Sequence, residues 1–434
     1  MQRNTWAKAL LTAMIWLLVF QNPLQSIWDP FSYLDEFTAL IGACLGMYDI
    51  VIVRKGRATK DQLLFAIPLV VFIAVGLAGN VIYRYQPLKC VIIDLYTNLK
   101  FFFAIGTGYY LFASLDREAL GKTAGGNARL LTLLLFAAFL ADRVFGIWPG
   151  QVRYGISSAV LFYAHPTYLS GALSFLLILL TAFYDRKNLP CIGMALTIMV
   201  FTLRAKAMAS AAVYVAIFVF FLVFKWKLKI WHVAVAGAGS VAIAWNKIRF
   251  YFYEVADSAA RSLFLRKSFL VMRDHFPIGT GFGTYGSAEA AKHYSPVYLQ
   301  YGFNEHYQLR NVADIENTRR LIAKSKWLQG KYANNPESTL EGGTYLTDQF
   351  WPTVLGQTGA LGTLAYLIVL GALIKRCLDV VRYDLHGYAA VLFMLVYLVI
   401  ASFAEPAFFN AVAVPLAVVA GTVFYHADHQ KQTV

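Results

Sequence analysis

Between Leu63 and Ala78 there is no charged side chain, and none between Ala207 and Phe224. An α-helix rises about 1.5 Å per residue, so about 20 apolar residues cross a hydrocarbon core of about 30 Å. The apolar residues are continuous rather than spaced at the period of a surface helix or strand, so these segments belong among lipid or other helices. Composition agrees: 59% of residues are hydrophobic and 14% charged, the latter about half the share of a soluble domain. These features predict an all-α polytopic membrane protein.

About twelve segments have the required length. They run near Trp6–Leu24, Phe37–Val53, Leu63–Tyr83, Val91–Leu115, Leu130–Trp148, Ala159–Tyr184 and Pro190–Leu203, then near Met208–Phe224, Ile230–Trp245, Phe350–Ile374, Tyr388–Phe403 and Ala407–Tyr425. The first has no small-residue cleavage site, so it is expected to be a retained span. With the N-terminus inside, the connections carrying Arg54, Lys55, Arg57 and Lys60, then Lys225, Lys227 and Lys229, and later Lys375, Arg376 and Arg382, all face the cytoplasm. Basic residues retained inside set the orientation of inserted helices. That asymmetry accounts for much of the formal charge of +14 and removes the need for a nucleic-acid partner. An even span count then puts both termini in the cytoplasm. The four cysteines, Cys44, Cys90, Cys191 and Cys377, have no metal-type spacing and no disulfide pattern.

One connection is long. Residues 247–349 are rich in Tyr, Asn, Glu and Arg and contain no run able to span. Connections of that length are rarely structureless, so a folded external (periplasmic) loop domain is expected between spans nine and ten. The chain divides into residues 1–246 (spans one to nine), 247–349 (the loop domain) and 350–434 (the last three spans and a tail). Within the loop, Asp257–Phe276 reads as a helix stopped by Pro277.

The segment "PIGTGFGTYG" that follows has Gly281, Gly283 and Gly286 at the spacing of a dinucleotide-binding turn. That turn requires a preceding strand and a βαβ unit. Here a helix precedes the glycines and the loop faces outside, so a tight turn, or a close approach of backbone to something else, is the expectation.

Ionisable groups at membrane depth are functional candidates. Arg204 and Lys206 sit in a short external hairpin, against the charge bias of such hairpins. They are suited either to a phosphate or pyrophosphate group or to lipid headgroups reached by snorkelling. Arg153 and His165 open the sixth span; His165, before Pro166, either kinks the helix or hydrogen-bonds within the bundle. Asp94 with Lys100, Asp142 with Arg143, and Glu405 read as internal ion pairs. Arg261 and Arg266 are five residues apart, so on one helix they point about 140° apart. Asp348, at the mouth of the tenth span, is equally suited to capping that helix and to acting as a general base.

In order along the chain, "HPTYLSG", "LTIMVFTLRAKAM", "RSLFLRKSFLVMRDHFPIGTGFGTYG" and "TDQFWPTVLGQTGALG" resemble the O-antigen ligase and Wzy-type polysaccharide polymerase superfamily. The resemblance covers roughly Arg153 to Gly362 and extends to the topology. It implies a metal-independent, inverting glycosyltransferase, without a cofactor, acting on undecaprenyl-pyrophosphate-linked oligosaccharides outside the plasma membrane. External arginines would hold the donor pyrophosphate, here Arg204 and either Arg261 or Arg266. Asp348 would be the base, with Lys206, Arg153, His165 and Tyr285 contributing to substrate binding. Membrane lipids, and a chain-length regulator and flippase of the same pathway, are the expected partners. Ligases of this superfamily usually carry a histidine before the tenth span; this chain has Asp348 in "TDQFW", which favours a polymerase over a ligase acting on lipid A-core. A secondary transporter is the rival of a different class, since about twelve spans suit it, although its site would lie at the midplane on broken helices. An envelope-assembly scaffold is a further alternative.

Overall fold

The computed structural model describes residues 2–56, 60–153, 155–224, 260–293, 295–301, 349–403 and 405–433. Helices dominate: α1 (Gln2–Val19), α2 (Leu34–Tyr48), α3 (Lys60–Tyr83), α4 (Leu88–Leu111), α5 (Gly126–Phe145), α6 (Pro166–Ala182), α7 (Leu189–Phe201) and α8 (Ala205–Ile217). They continue as α9 (Ala260–Asp274), α10 (Ala288–Lys292), α11 (Phe350–Val380), α12 (Leu385–Ala401) and α13 (Ala413–Thr433). The only sheet among the described residues is a ribbon of β1 (Val152–Arg153) and β2 (Ile156–Ser157). Among the described residues, four stretches are long and apolar enough to cross a membrane: Asp29–Val53, Gln62–Tyr83, Ala205–Val223 and Phe350–Val380. Thr5–Val19, Pro166–Ala182 and Leu385–Ala401 are shorter apolar helices. The expected ninth span, Ile230–Trp245, and most of the long loop lie outside the described residues.

Two expected helix starts move. Pro166 can begin a helix but not sit within one, because it lacks an N–H and clashes with the preceding turn. The sixth helix therefore begins there, leaving residues 159–165 irregular. The last begins at Ala413, after a 3₁₀ turn at Ala407–Phe409.

The ion pairs also differ from the expectation. Lys100 pairs not with Asp94 but with Asp35 of α2, at 2.7 Å, and with Glu36, at 3.4 Å. Gln21 donates to the other oxygen of Asp35 at 2.7 Å. Asp94 instead accepts from the Gly283 amide, at 2.8 Å, and from Asn98. Asp142 and Arg143 do pair, at 2.7 Å.

The glycine turn closes onto the helices themselves. At Gly359 (φ 60°, ψ −162°) α11 is broken. The break releases the carbonyls of Gly356 and Gln357 and the amide of Leu361, which an unbroken helix would use internally. Residues 277–281 take their place: Thr280 N donates to Gly356 O (3.1 Å), Gly281 N to Gln357 O (2.7 Å), and Leu361 N to Pro277 O (3.1 Å). A Cβ at Gly279 would lie 2.4 Å from the Gly359 nitrogen, so only hydrogen fits there. On the other side, Asn80 of α3 donates to Phe282 O and accepts from Phe282 N, both at 2.8 Å. The segment is a backbone splice between α3, α4 and α11.

Candidate functional site

The start of α8 carries Arg204 and Lys206, His165 precedes α6, and the ribbon between α5 and α6 holds Arg153. Asp142 accepts from Trp148 N at 2.7 Å, and Arg143 donates to Ser157 O at 2.7 Å, fastening the ribbon to the end of α5. Ser158 N donates to Gln151 O, and Ala159 N to Phe201 O at 2.8 Å, which joins this stretch to the end of α7. Three residues after Phe201 comes Arg204, the extended residue that precedes α8.

Arg204 Nη2 contacts His165 Nε2 at 2.6 Å and donates to Gln151 Oε1 at 3.2 Å. Arg153 Nη2 donates to the same Gln151 oxygen at 3.4 Å. Two guanidinium groups therefore converge on one amide oxygen. Arginine does not lose its proton, so His165 Nε2 must be the acceptor and the ring proton sits on Nδ1. A neutral imidazole has one acceptor nitrogen; the 3.2 Å approach of Thr167 N to Nδ1 is then a contact rather than a second hydrogen bond. Burial, and after it the charges of Arg204, Lys206 and Arg153, push His165 down to about 4. The ring lies ahead of α6 and stays uncharged near neutral pH. The Arg204 Nε is buried with no hydrogen-bond partner among the described residues.

Lys206, the second residue of α8, is held differently. It pairs with Glu405 at 2.5 Å, both side chains mostly buried, and lies 6.0 Å from the centre of the Tyr397 ring. The pair cancels its own charge, so the net positive charge of the cluster rests on Arg153 and Arg204. Near Glu405 the chain meets the start of α11: Gln349 Nε2 donates to Phe403 O at 3.3 Å, and Phe350 N to Ser402 O at 3.2 Å. The residue immediately after Asp348 is thus joined through the 402–405 segment to the cationic hairpin.

Of the residues singled out in the sequence, Arg153, His165, Arg204 and Lys206 gather at one end of the bundle. Arg266 is exposed on α9, which packs along α11. Asp348 and the Arg261 side chain lie outside the described residues. Tyr285 does not fit a role in substrate binding. It is fully buried, its ring stacks on Phe264 at 4.6 Å, and its hydroxyl donates to Phe264 O at 2.7 Å, leaving no face for a sugar. Gln151 was missed. Its one signal was a polar residue two positions before Arg153.

The glycine segment is unsuited to cradling a phosphate. Such cradles present amide hydrogens to the ligand, whereas the amides of Gly279, Thr280, Gly281, Phe282, Gly283 and Gly286 all donate to groups of the protein. Compared with protein-family models and with curated proteins, the chain finds no match.

Proposed function

We propose that the chain is a plasma-membrane glycosyltransferase of about twelve spans, both termini cytoplasmic. It would join undecaprenyl-pyrophosphate-linked oligosaccharides into O-antigen, capsular or exopolysaccharide chains. The supporting observation is the convergence of Arg204 and Arg153 on Gln151 beside a neutral His165. A pyrophosphate leaving group gains negative charge as its bond to the sugar C1 breaks, and guanidinium donors fixed in advance stabilise that charge. The acceptor hydroxyl attacks C1 from the opposite face, inverting it, and passes its proton to a base; Asp348 is the residue assigned to that role. The link from Gln349 through Phe403 and Glu405 to Lys206 makes the assignment structurally economical.

The break in α11 is the feature a transporter reading would use, because unwound helices in transporters expose backbone to substrate. Here the loop consumes the freed carbonyls, so the polymerase reading is preferred. The test is chain growth from purified lipid-linked repeats in vesicles containing the protein. Longer lipid-linked products that disappear with Arg204→Gln support the proposal. Transfer only to a lipid A-core acceptor would favour the ligase, and a wild-type rate in Arg204→Gln vesicles would refute the leaving-group role.

A further inference from the structure

Where the glycine segment leaves the helices, a second group of residues meets the start of α4. Cys90, Glu289 and His293 bring one sulfur, one carboxylate oxygen and one ring nitrogen to within 4.8 Å of one another. Cys90 and Glu289 are buried, while His293 is exposed and stands 3.6 Å from Glu289. Glu289 and His293 are four residues apart, an interval that places two side chains on one face of a helix.

We propose that Cys90, Glu289 and His293 form a site for a divalent metal ion of the zinc class, fastening the segment after the glycine turn to α4. The donor set is the reason. Thiolate, imidazole and carboxylate are the three ligand types zinc accepts, at about 2.3, 2.0 and 2.1 Å, which sets tetrahedral ligands about 3.5 Å apart. Bringing atoms within 4.8 Å to that separation needs a movement of about 1 Å, within reach of the exposed His293 ring. A thiolate and a carboxylate together carry two negative charges, which a divalent ion neutralises in a buried place where charge is otherwise costly. Three protein ligands leave one position for water or for a further oxygen. The neighbourhood supplies a carboxylate: Asp94, one turn beyond Cys90 on α4, is buried, held by the Gly283 amide and by Asn98. The metal would thereby join the two ends of the docked segment, Gly283 and His293, to the same turn of α4.

The experiment uses the full chain purified in detergent, stripped with a chelator and titrated with zinc or cobalt(II). The expected result is one metal per chain. Cobalt should give a thiolate charge-transfer band in the near ultraviolet that Cys90→Ser removes, and zinc should raise the unfolding temperature of the wild type alone. His293→Ala alters an exposed side chain, so it should fold normally yet bind zinc at least tenfold more weakly; it keeps the test decisive should Cys90→Ser fail to fold. No metal uptake by the wild type, or equal affinity in wild type and His293→Ala, would overturn the site. None of these readouts depends on sugar transfer.

Discussion

Replacing Gly281 with alanine tests whether the loop is spliced into the helices as described. Gly281 has φ +99°, and a Cβ there would lie 2.5 Å from both the backbone nitrogen and the Nδ2 of Asn80. An L-residue in a left-handed conformation costs about 1–2 kcal/mol. Overpacking against backbone that cannot retreat adds about 1–3 kcal/mol. Pushing Asn80 aside also weakens its two hydrogen bonds to Phe282, about 1 kcal/mol each. These effects overlap, so the expected loss is about 3–5 kcal/mol. It can be read from equilibrium unfolding of the purified protein in mixed micelles with increasing SDS. Gly193, with no atom within 4 Å of its would-be Cβ, is the control; in a helix, alanine there should be neutral or stabilising by about 0.5–1 kcal/mol. Asn80→Ala should cost about 2 kcal/mol, and the double variant with Gly281→Ala should lose less than the sum. A Gly281→Ala protein within 1 kcal/mol of wild type would mean that the loop is not wedged against α3.

Arg204→Gln should lower polymerisation turnover about 100-fold or more, as removal of one donor to a developing anion does. Arg204→Lys should not restore it, because an ammonium cannot keep both the His165 and the Gln151 contacts. Asp348→Asn should abolish chain growth without altering the unfolding transition; a wild-type rate would remove Asp348 from the mechanism. Lys206→Met should destabilise by about 3 kcal/mol by stranding Glu405, and adding Glu405→Gln should recover much of that loss. The folded protein holds His165 at about 4, below its ordinary value of about 6.5. Stability should therefore fall as pH drops from about 6.5 towards 4, where the unfolded chain binds a proton that the folded chain refuses. Thermal unfolding of His165→Gln across that range should show a shallower decline; an identical pH profile would contradict the neutral assignment.

Much of this architecture is legible in the sequence because lipid leaves backbone few options: a long apolar run must form a helix. Leu63–Tyr83 and Lys60–Tyr83, or Val91–Leu115 and Leu88–Leu111, differ only at their ends. What one-dimensional reading lacks is partner choice. Lys100 and Asp94 look like a pair because they share a helix, yet six residues set them about 120° apart around it, and Lys100 reaches Asp35 of α2 instead. The Arg204–His165 contact joins residues 39 positions apart, and nothing periodic announces it. The glycines of residues 279–286 advertise a backbone conformation but not its occupant, which proves to be the protein's own α11.

That splice has a consequence for how the protein is made. Most membrane helices complete their hydrogen-bond ladder on entering the bilayer and only then find neighbours. In its final form α11 cannot, because Gly356, Gln357 and Leu361 find partners in residues 277–281. An open backbone group in hydrocarbon costs several kcal/mol, so α11 must either enter unbroken and open later or enter with the loop already in place. On the second route insertion and tertiary assembly are a single coupled event for this helix, and a mutation in the buried residues 279–281, outside α11 itself, would be read out as a failure of membrane integration.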